Sequence, residues 1–210
     1  MSYCNYECNY ECRYKIVLMG DSKVGKSSVF NKLNNVVSCT TATTIGVDFC
    51  SLIKNIRGKN IKVCLWDTAG QEKFKVMIRS YFRELAGVIL VFDLTDHRSF
   101  ENTKNWIQLL EFENKCDHEH PILLLGNKSD KVPIDVSSYD IEKLCEGKNM
   151  VYNEISCKND NIITLEKIFV SFLERINDNS NENCKGIQNY NRDSIDILKS
   201  TNQKKMCCMY

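Results

Sequence analysis

Proline is nearly missing from this chain, with 2 in 210 residues, and glycine is sparse, with 9. So few backbone breakers exclude a collagen-like or Pro/Gly-rich disordered chain, and each glycine should mark a real backbone need. No run approaches the ~18 apolar residues of a membrane-spanning helix. The first twelve residues, MSYCNYECNYEC, lack the apolar stretch of a signal peptide, so a cytosolic chain is expected. Neither sign of charge predominates, with 28 Lys+Arg against 27 Asp+Glu. No bulk field recruits nucleic acid, and none is expected as a partner. Cysteine is the one surplus, with 12, but the positions form no small-scaffold framework. In a reducing compartment they are mostly free thiols, several of them packed as small hydrophobes. A hydrophobic content of 43% suffices for one core, so a single domain with appendages is expected.

Three zones follow from composition. Residues 1–12 repeat NYEC without an apolar period and read as a mobile N-terminal extension. Residues 13–176 alternate strand-like and helix-like runs. Residues 177–210 turn Asn-rich and polar and read as a flexible tail. In the middle zone YKIVLMG, VILVFD, PILLLGNKSD and VYNEISCK are strand runs. VDFCSLIKNIR and IKVCLWD read as a hairpin split at Gly58-Lys59-Asn60. KSSVFNKL, KFKVMIRSYFREL, SFENTKNWIQLLEF, SSYDIEKLCEG and TLEKIFVSFLERI carry helical patterns. Strands alternating with helices imply an α/β fold, a mostly parallel six-stranded sheet with helices on both faces. Ligands of such sheets lie beyond the carboxyl ends of the strands.

The motifs sit at those ends. Gly20-Asp21-Ser22-Lys23-Val24-Gly25-Lys26-Ser27 matches G-x-x-x-x-G-K-[ST] between a strand and a helix. Its backbone N–H groups and the helix N-terminus can cradle phosphates, which assigns Ser22, Lys23, Val24, Gly25, Lys26, Ser27 and Ser28 to nucleotide binding. Lys26 would reach the β- and γ-phosphates and take part in catalysis, and the Ser27 hydroxyl would ligate Mg²⁺. In WDTAGQEKF, Asp67 can hold a metal-bound water, Gly70 can offer an N–H to a γ-phosphate, and Gln71 can orient an attacking water. Asn127-Lys128-Ser129-Asp130 ends another strand, and a carboxylate at Asp130 can accept from guanine N1–H and the 2-amino group. Ser156-Cys157-Lys158 follows VYNEI, where the Cys157 N–H can bond guanine O6.

These four elements, in this order and spacing, resemble the Ras-like small GTPases over roughly residues 13–176. TTIGVDF (43–49) and WDTAGQEKF resemble the Rab branch within them. The resemblance implies a P-loop NTPase with the small G-protein fold, which binds GTP and GDP with Mg²⁺ and hydrolyses GTP. It implies that Thr44 joins Ser27 and Asp67 at the metal and senses the γ-phosphate. It also implies an effector surface at Ile45, Val47, Phe49, Trp66, Phe74 and Tyr81. The partners it implies are an exchange factor, a GTPase-activating protein, an escort protein, a GDP-dissociation inhibitor and effectors. The core cycle would be that of a monomer. Hydrolysis should be slow, since no arginine in the phosphate loop offers itself in cis. A nucleotide-locked scaffold with negligible hydrolysis is the alternative, as is a soluble regulator without lipid.

The chain departs from the family pattern at Lys23, where Gly, Ser or Ala is usual, and at NNVVSCTTA (34–42), which lacks an aromatic and is about a residue short. Both bear on nucleotide retention. Cys157 stands for the usual alanine and should be tolerated. Cys4, Cys8 and Cys12 lack a fourth zinc ligand nearby, so an extension is preferred, with palmitoylation open. His118 and His120 read as part of a solvated loop. The tail ends in Lys204-Lys205-Met206-Cys207-Cys208-Met209-Tyr210, a poor C-a-a-X box. It fits the C-C-x-x ending of Rabs, in which Cys207 and Cys208 both carry geranylgeranyl groups. Ile195 and Ile197 would dock on the escort protein. With little basic charge to assist, two lipids would be needed to hold the cytoplasmic face of endomembranes.

Overall fold

In a computed structural model, residues 10–34, 47–68, 82–113 and 120–183 are described. Among them the chain runs β1 (Cys12–Met19), α1 (Lys26–Leu33), β2 (Val47–Ile56), β3 (Lys59–Thr68), β4 (Gly87–Asp93), α2 (His97–Glu113), β5 (Ile122–Asn127), α3 (Ser138–Cys145), β6 (Met150–Ile155) and α4 (Ile162–Asn183). The six strands form one sheet in the order β2-β3-β1-β4-β5-β6. β2 runs antiparallel to β3, and every other neighbouring pair is parallel. The helical pattern at KFKVMIRSYFREL lies almost wholly outside the described residues.

Burial explains the order. Every residue of β4 and β5 is buried, as expected of central strands covered on both faces. β2 alternates part-buried with exposed positions, as an edge strand with one dry face does. Two cores result from the period of two in β1. Ile16 and Leu18 pack with Val29, Phe30 and Leu33 of α1 and Leu165, Phe169 and Phe172 of α4. Val17 and Met19 face the other side, with Phe100, Trp106 and Ile107 of α2 and Ile141 and Leu144 of α3. Helices therefore cover both faces of a mostly parallel sheet.

Two boundaries differ from the sequence expectation. The β2–β3 turn is the pair Arg57-Gly58, both at positive φ (51° and 84°), and Lys59 and Asn60 already belong to β3. That is the left-handed two-residue turn whose twist suits a hairpin. The Asn55 amide oxygen accepts the Gly58 N–H at 3.1 Å and helps hold it. At the other end, α4 continues to Asn183, into the stretch expected as flexible.

Candidate functional site

The loop between β1 and α1 is shaped by two glycines. Gly20 has φ +131°, and a Cβ there would lie 2.1 Å from the Val91 carbonyl oxygen on β4. Gly25 has φ +105°, and its Cβ would lie 2.1 Å from the Asn127 amide nitrogen. Only a residue without a side chain meets both demands. Lys23 is at φ +66° too, although it is not glycine, and its side chain is exposed. Gly25 is the N-cap of α1 and supplies no side-chain cap, and the first turn carries no acidic residue. The first N–H groups of the helix are thus left to an external anion.

Lys26 opens that helix with its side chain 5% exposed. Its ammonium donates to the carbonyls of Gly20 at 3.0 Å and Asp21 at 2.7 Å. Burial lowers its pKa to about 8, against the opposing pull of Asp67 and Asp21. Ser27 donates its hydroxyl to the Asp67 carboxylate at 2.5 Å. Asp67 is fully buried near the end of β3, where Thr68 donates its hydroxyl to the Leu18 carbonyl at 2.7 Å. A hydroxyl and a carboxylate on adjoining element ends are hard oxygen donors. They fit Mg²⁺, which takes few protein ligands and completes its shell with phosphate and water. Among the described residues no group of three or more His, Cys, Asp or Glu could hold a metal by itself.

The second half of the site is built on β5 and β6. Asn127 is 2% exposed. Its amide donates to the Val24 carbonyl at 2.8 Å, and its oxygen accepts the Cys157 N–H at 3.2 Å. This buried residue therefore joins the phosphate loop to the loop after β6. Lys128, at φ +66°, donates to the Lys23 carbonyl at 2.9 Å and to Asp93 at 2.5 Å. Burial would raise the Asp93 carboxyl, but hydrogen bonds from Lys128 and Thr95 pull it below the usual range. Ser156 donates its hydroxyl to Asp130 at 2.6 Å, the chief reason that the Asp130 carboxyl sits below its ordinary value. Asp130 is thus held ionised and oriented as an acceptor. Lys158, two residues after Ser156, is exposed.

On the outer face of the β2–β3 hairpin, Phe49 pairs with Trp66 across the strands, ring centroids 4.7 Å apart. Phe49 is 51% exposed and Trp66 half-buried, and the Lys15 ammonium lies 5.6 Å from the Trp66 ring centre. Val47 is part-buried opposite Thr68. Thr44, Ile45, Gly70, Gln71, Phe74, Tyr81, Cys207 and Cys208 lie outside the described residues, as do Cys4, Cys8, His118, Ile195 and Ile197.

Sequence reasoning missed three supports. Asp21 accepts from the Asn102 amide at 2.6 Å and the Trp106 indole N–H at 2.8 Å, which ties the phosphate loop to α2. Asp93 anchors Lys128, and Lys32 reaches the loop after β6. Only Asp93 carried a signal, as a carboxylate ending a strand. The others depend on partners far along the chain, which no spacing rule reaches.

The chain matches the family model described as Ras family over residues 15–178. It is 35% identical over 198 residues to Ras-related protein SEC4 of Saccharomyces cerevisiae, covering 92% of this chain and 90% of that protein. It is 36% identical over 200 residues to Ras-related protein RabC of Dictyostelium discoideum, covering 92% and 96%. With GTP-binding protein ypt1 of Schizosaccharomyces pombe it shares 34% identity over 199 residues, again 92% and 96%.

Proposed function

This chain belongs to the Ras family, in the Rab branch of its GTP-hydrolysing small GTPases, and from that membership we propose that it is a guanine-nucleotide switch of vesicle traffic. The observation that carries the reading is Asn127, bonded to Val24 of the phosphate loop and to Cys157 of the base loop. One side chain thus sets the spacing between the phosphate end and the base end of a single nucleotide.

The phosphates lie against the loop N–H groups and the uncapped start of α1. Lys26 exchanges its two carbonyl partners for the β- and γ-phosphates, which restore the charge that burial disfavours. Ser27, Asp67 and Thr44 would hold Mg²⁺, which would supply positive charge to neutralise the phosphate oxygens. Gln71 orients water, and the Gly70 N–H senses the γ-phosphate. Asp130 reads guanine N1–H and the 2-amino group, and Cys157 reads O6 in competition with Asn127. Hydrolysis is slow until an activator assists. The GTP form recruits effectors through Phe49 and Trp66 together with Ile45, Val47, Phe74 and Tyr81. Exchange factor, escort protein and GDP-dissociation inhibitor act on the same cycle. Cys207 and Cys208 carry the lipids that hold the protein on the cytoplasmic face of endomembranes, from which it cycles to the cytosol. Among the described residues no helix is long and apolar enough to cross a membrane.

Asp130→Asn tests the base assignment. Replacing an ionised acceptor with an amide should weaken GTP binding by tenfold or more; binding left intact in a fluorescent-nucleotide titration would sink it. Single-turnover hydrolysis separates a cycling switch from a nucleotide-locked scaffold, because a rate that no activator moves favours the scaffold.

A further inference from the structure

Lys32 stands in the last turn of α1, at the end opposite the phosphates. A basic residue there would ordinarily serve its own helix, by facing the last carbonyls. Its ammonium instead reaches away from the helix. The ammonium donates to the Cys157 carbonyl at 3.1 Å and to the Asp160 carbonyl at 2.5 Å, 125 and 128 residues along the chain.

Those carbonyls belong to a turn that is otherwise closed on itself. The Asp160 N–H donates to the Ser156 carbonyl at 2.9 Å, and the Ser156 N–H donates to the Asp160 carboxylate at 2.6 Å. The Asn159 N–H donates to the Ser156 hydroxyl oxygen at 3.0 Å, and that hydroxyl in turn donates to Asp130. The turn therefore keeps its own shape, but its placement over the sheet depends on bonds that leave it. On one side these are Asn127 and Asp130. On the α1 side it is Lys32.

We propose that Lys32 is a positioning residue for guanine recognition: it pins the 156–160 turn to the same short helix whose first residues, Lys26 and Ser27, serve the phosphates and Mg²⁺. The inference rests on the guanine-nucleotide reading above. α1 spans eight residues, Lys26–Leu33, as one helical segment. Through Lys32 the height of the base-reading N–H at Cys157, and through Ser156 the aim of Asp130, are set relative to the phosphate cradle. Loss of the ammonium leaves two partly buried carbonyls without that donor. The turn then lifts, the base contacts weaken, and the phosphate contacts stay.

The test compares Lys32→Met, which keeps the apolar stem without donors, with Lys32→Arg, which keeps donors and charge. Full-length GDP-loaded protein is used, and thermal melting confirms that each variant is folded; Lys32→Leu, also without donors, substitutes if Lys32→Met does not fold. Release of a fluorescent GDP should be about tenfold faster in Lys32→Met and near the wild-type rate in Lys32→Arg. Competition by unlabelled GDP and ADP supplies the second readout: the preference for GDP should shrink by a similar factor. Release in Lys32→Met within twofold of wild type overturns the proposal. So does an equal loss of GDP and ADP affinity, which would mean general loosening, or an arginine variant as fast as the methionine one. A wild-type protein with no preference for GDP over ADP would instead refute the guanine reading itself.

Discussion

Lys23 permits a prediction in which removing a side chain strengthens the protein. Its backbone sits at φ +66°, where an L residue crowds its own Cβ against the carbonyl that follows. That conformation costs an ordinary residue roughly 1–2 kcal/mol, and glycine almost nothing. Glycine gives back roughly 0.5–1 kcal/mol through the greater freedom of the unfolded chain. The net gain from Lys23→Gly should be about 0.5–1 kcal/mol, or roughly 1–4 °C in melting temperature for a domain of this size. The Lys23 side chain is exposed, and the bond from Lys128 to the Lys23 carbonyl survives, because it is made to backbone. Bound nucleotide also stabilises the fold, so a change in affinity would contaminate the measurement. Lys23→Ala removes that ambiguity. Both variants lack the ammonium beside the phosphates, and they differ only in tolerance of the left-handed backbone. Melting of the two in the same saturating GDP should place glycine above alanine. Nucleotide affinity should fall a few-fold in both at low salt and converge with wild type at high salt, as screening requires. A glycine variant no more stable than the alanine variant would refute the strain argument.

Two further outcomes follow from the site and the tail. Burial holds the Lys26 pKa at about 8, below the ordinary lysine value of 10.5, so between those values the unfolded chain keeps a proton that the folded one has shed. This residue's contribution to stability therefore rises with pH across that window, and its burial penalty is fully present below pH 8. Phosphate favours the charged form, so GDP binding above pH 8 should take up a proton and affinity should fall as pH rises. Calorimetry at pH 8.5 in buffers of different ionisation enthalpy measures the uptake, and a zero slope contradicts the role of Lys26. For the tail, the Cys207→Ser/Cys208→Ser protein should move from the membrane to the soluble fraction of lysed cells, because the flanking sequence has little basic charge to hold it; retention on membranes would overturn the double-lipid anchor.

Much of the fold was open to reading because it repeats a local rule. The unbroken apolar runs VILVFD and PILLLG announce strands buried on both faces, and those became the central β4 and β5. The phosphate loop was equally legible: Gly20 and Gly25 stand out in a chain with few glycines, and both proved to be positions where a Cβ would collide. Boundaries were less legible. The β2–β3 turn shifted by a residue because Arg57 adopts a left-handed backbone, which its chemistry does not announce. Asp21, in full view inside the motif, hid its role altogether, since its partners Asn102 and Trp106 arrive on another helix.

By itself the sequence determined which chemistry could occur: which residues offer N–H groups, hydroxyls, carboxylates and ammonium ions, and at which strand ends they fall. Those are local matters, settled by residue type and by periods of two and 3.6. Only the tertiary structure decided how the motifs meet. Asn127 spans from Val24 to Cys157, Lys128 from Lys23 to Asp93, and Lys32 from α1 to the turn at 156–160. Each is a hydrogen bond between segments that become neighbours only when the parallel sheet brings its carboxyl ends to one edge. The physical reason is range: such a bond acts over about 3 Å, and nothing along the chain records which distant groups folding will bring that close.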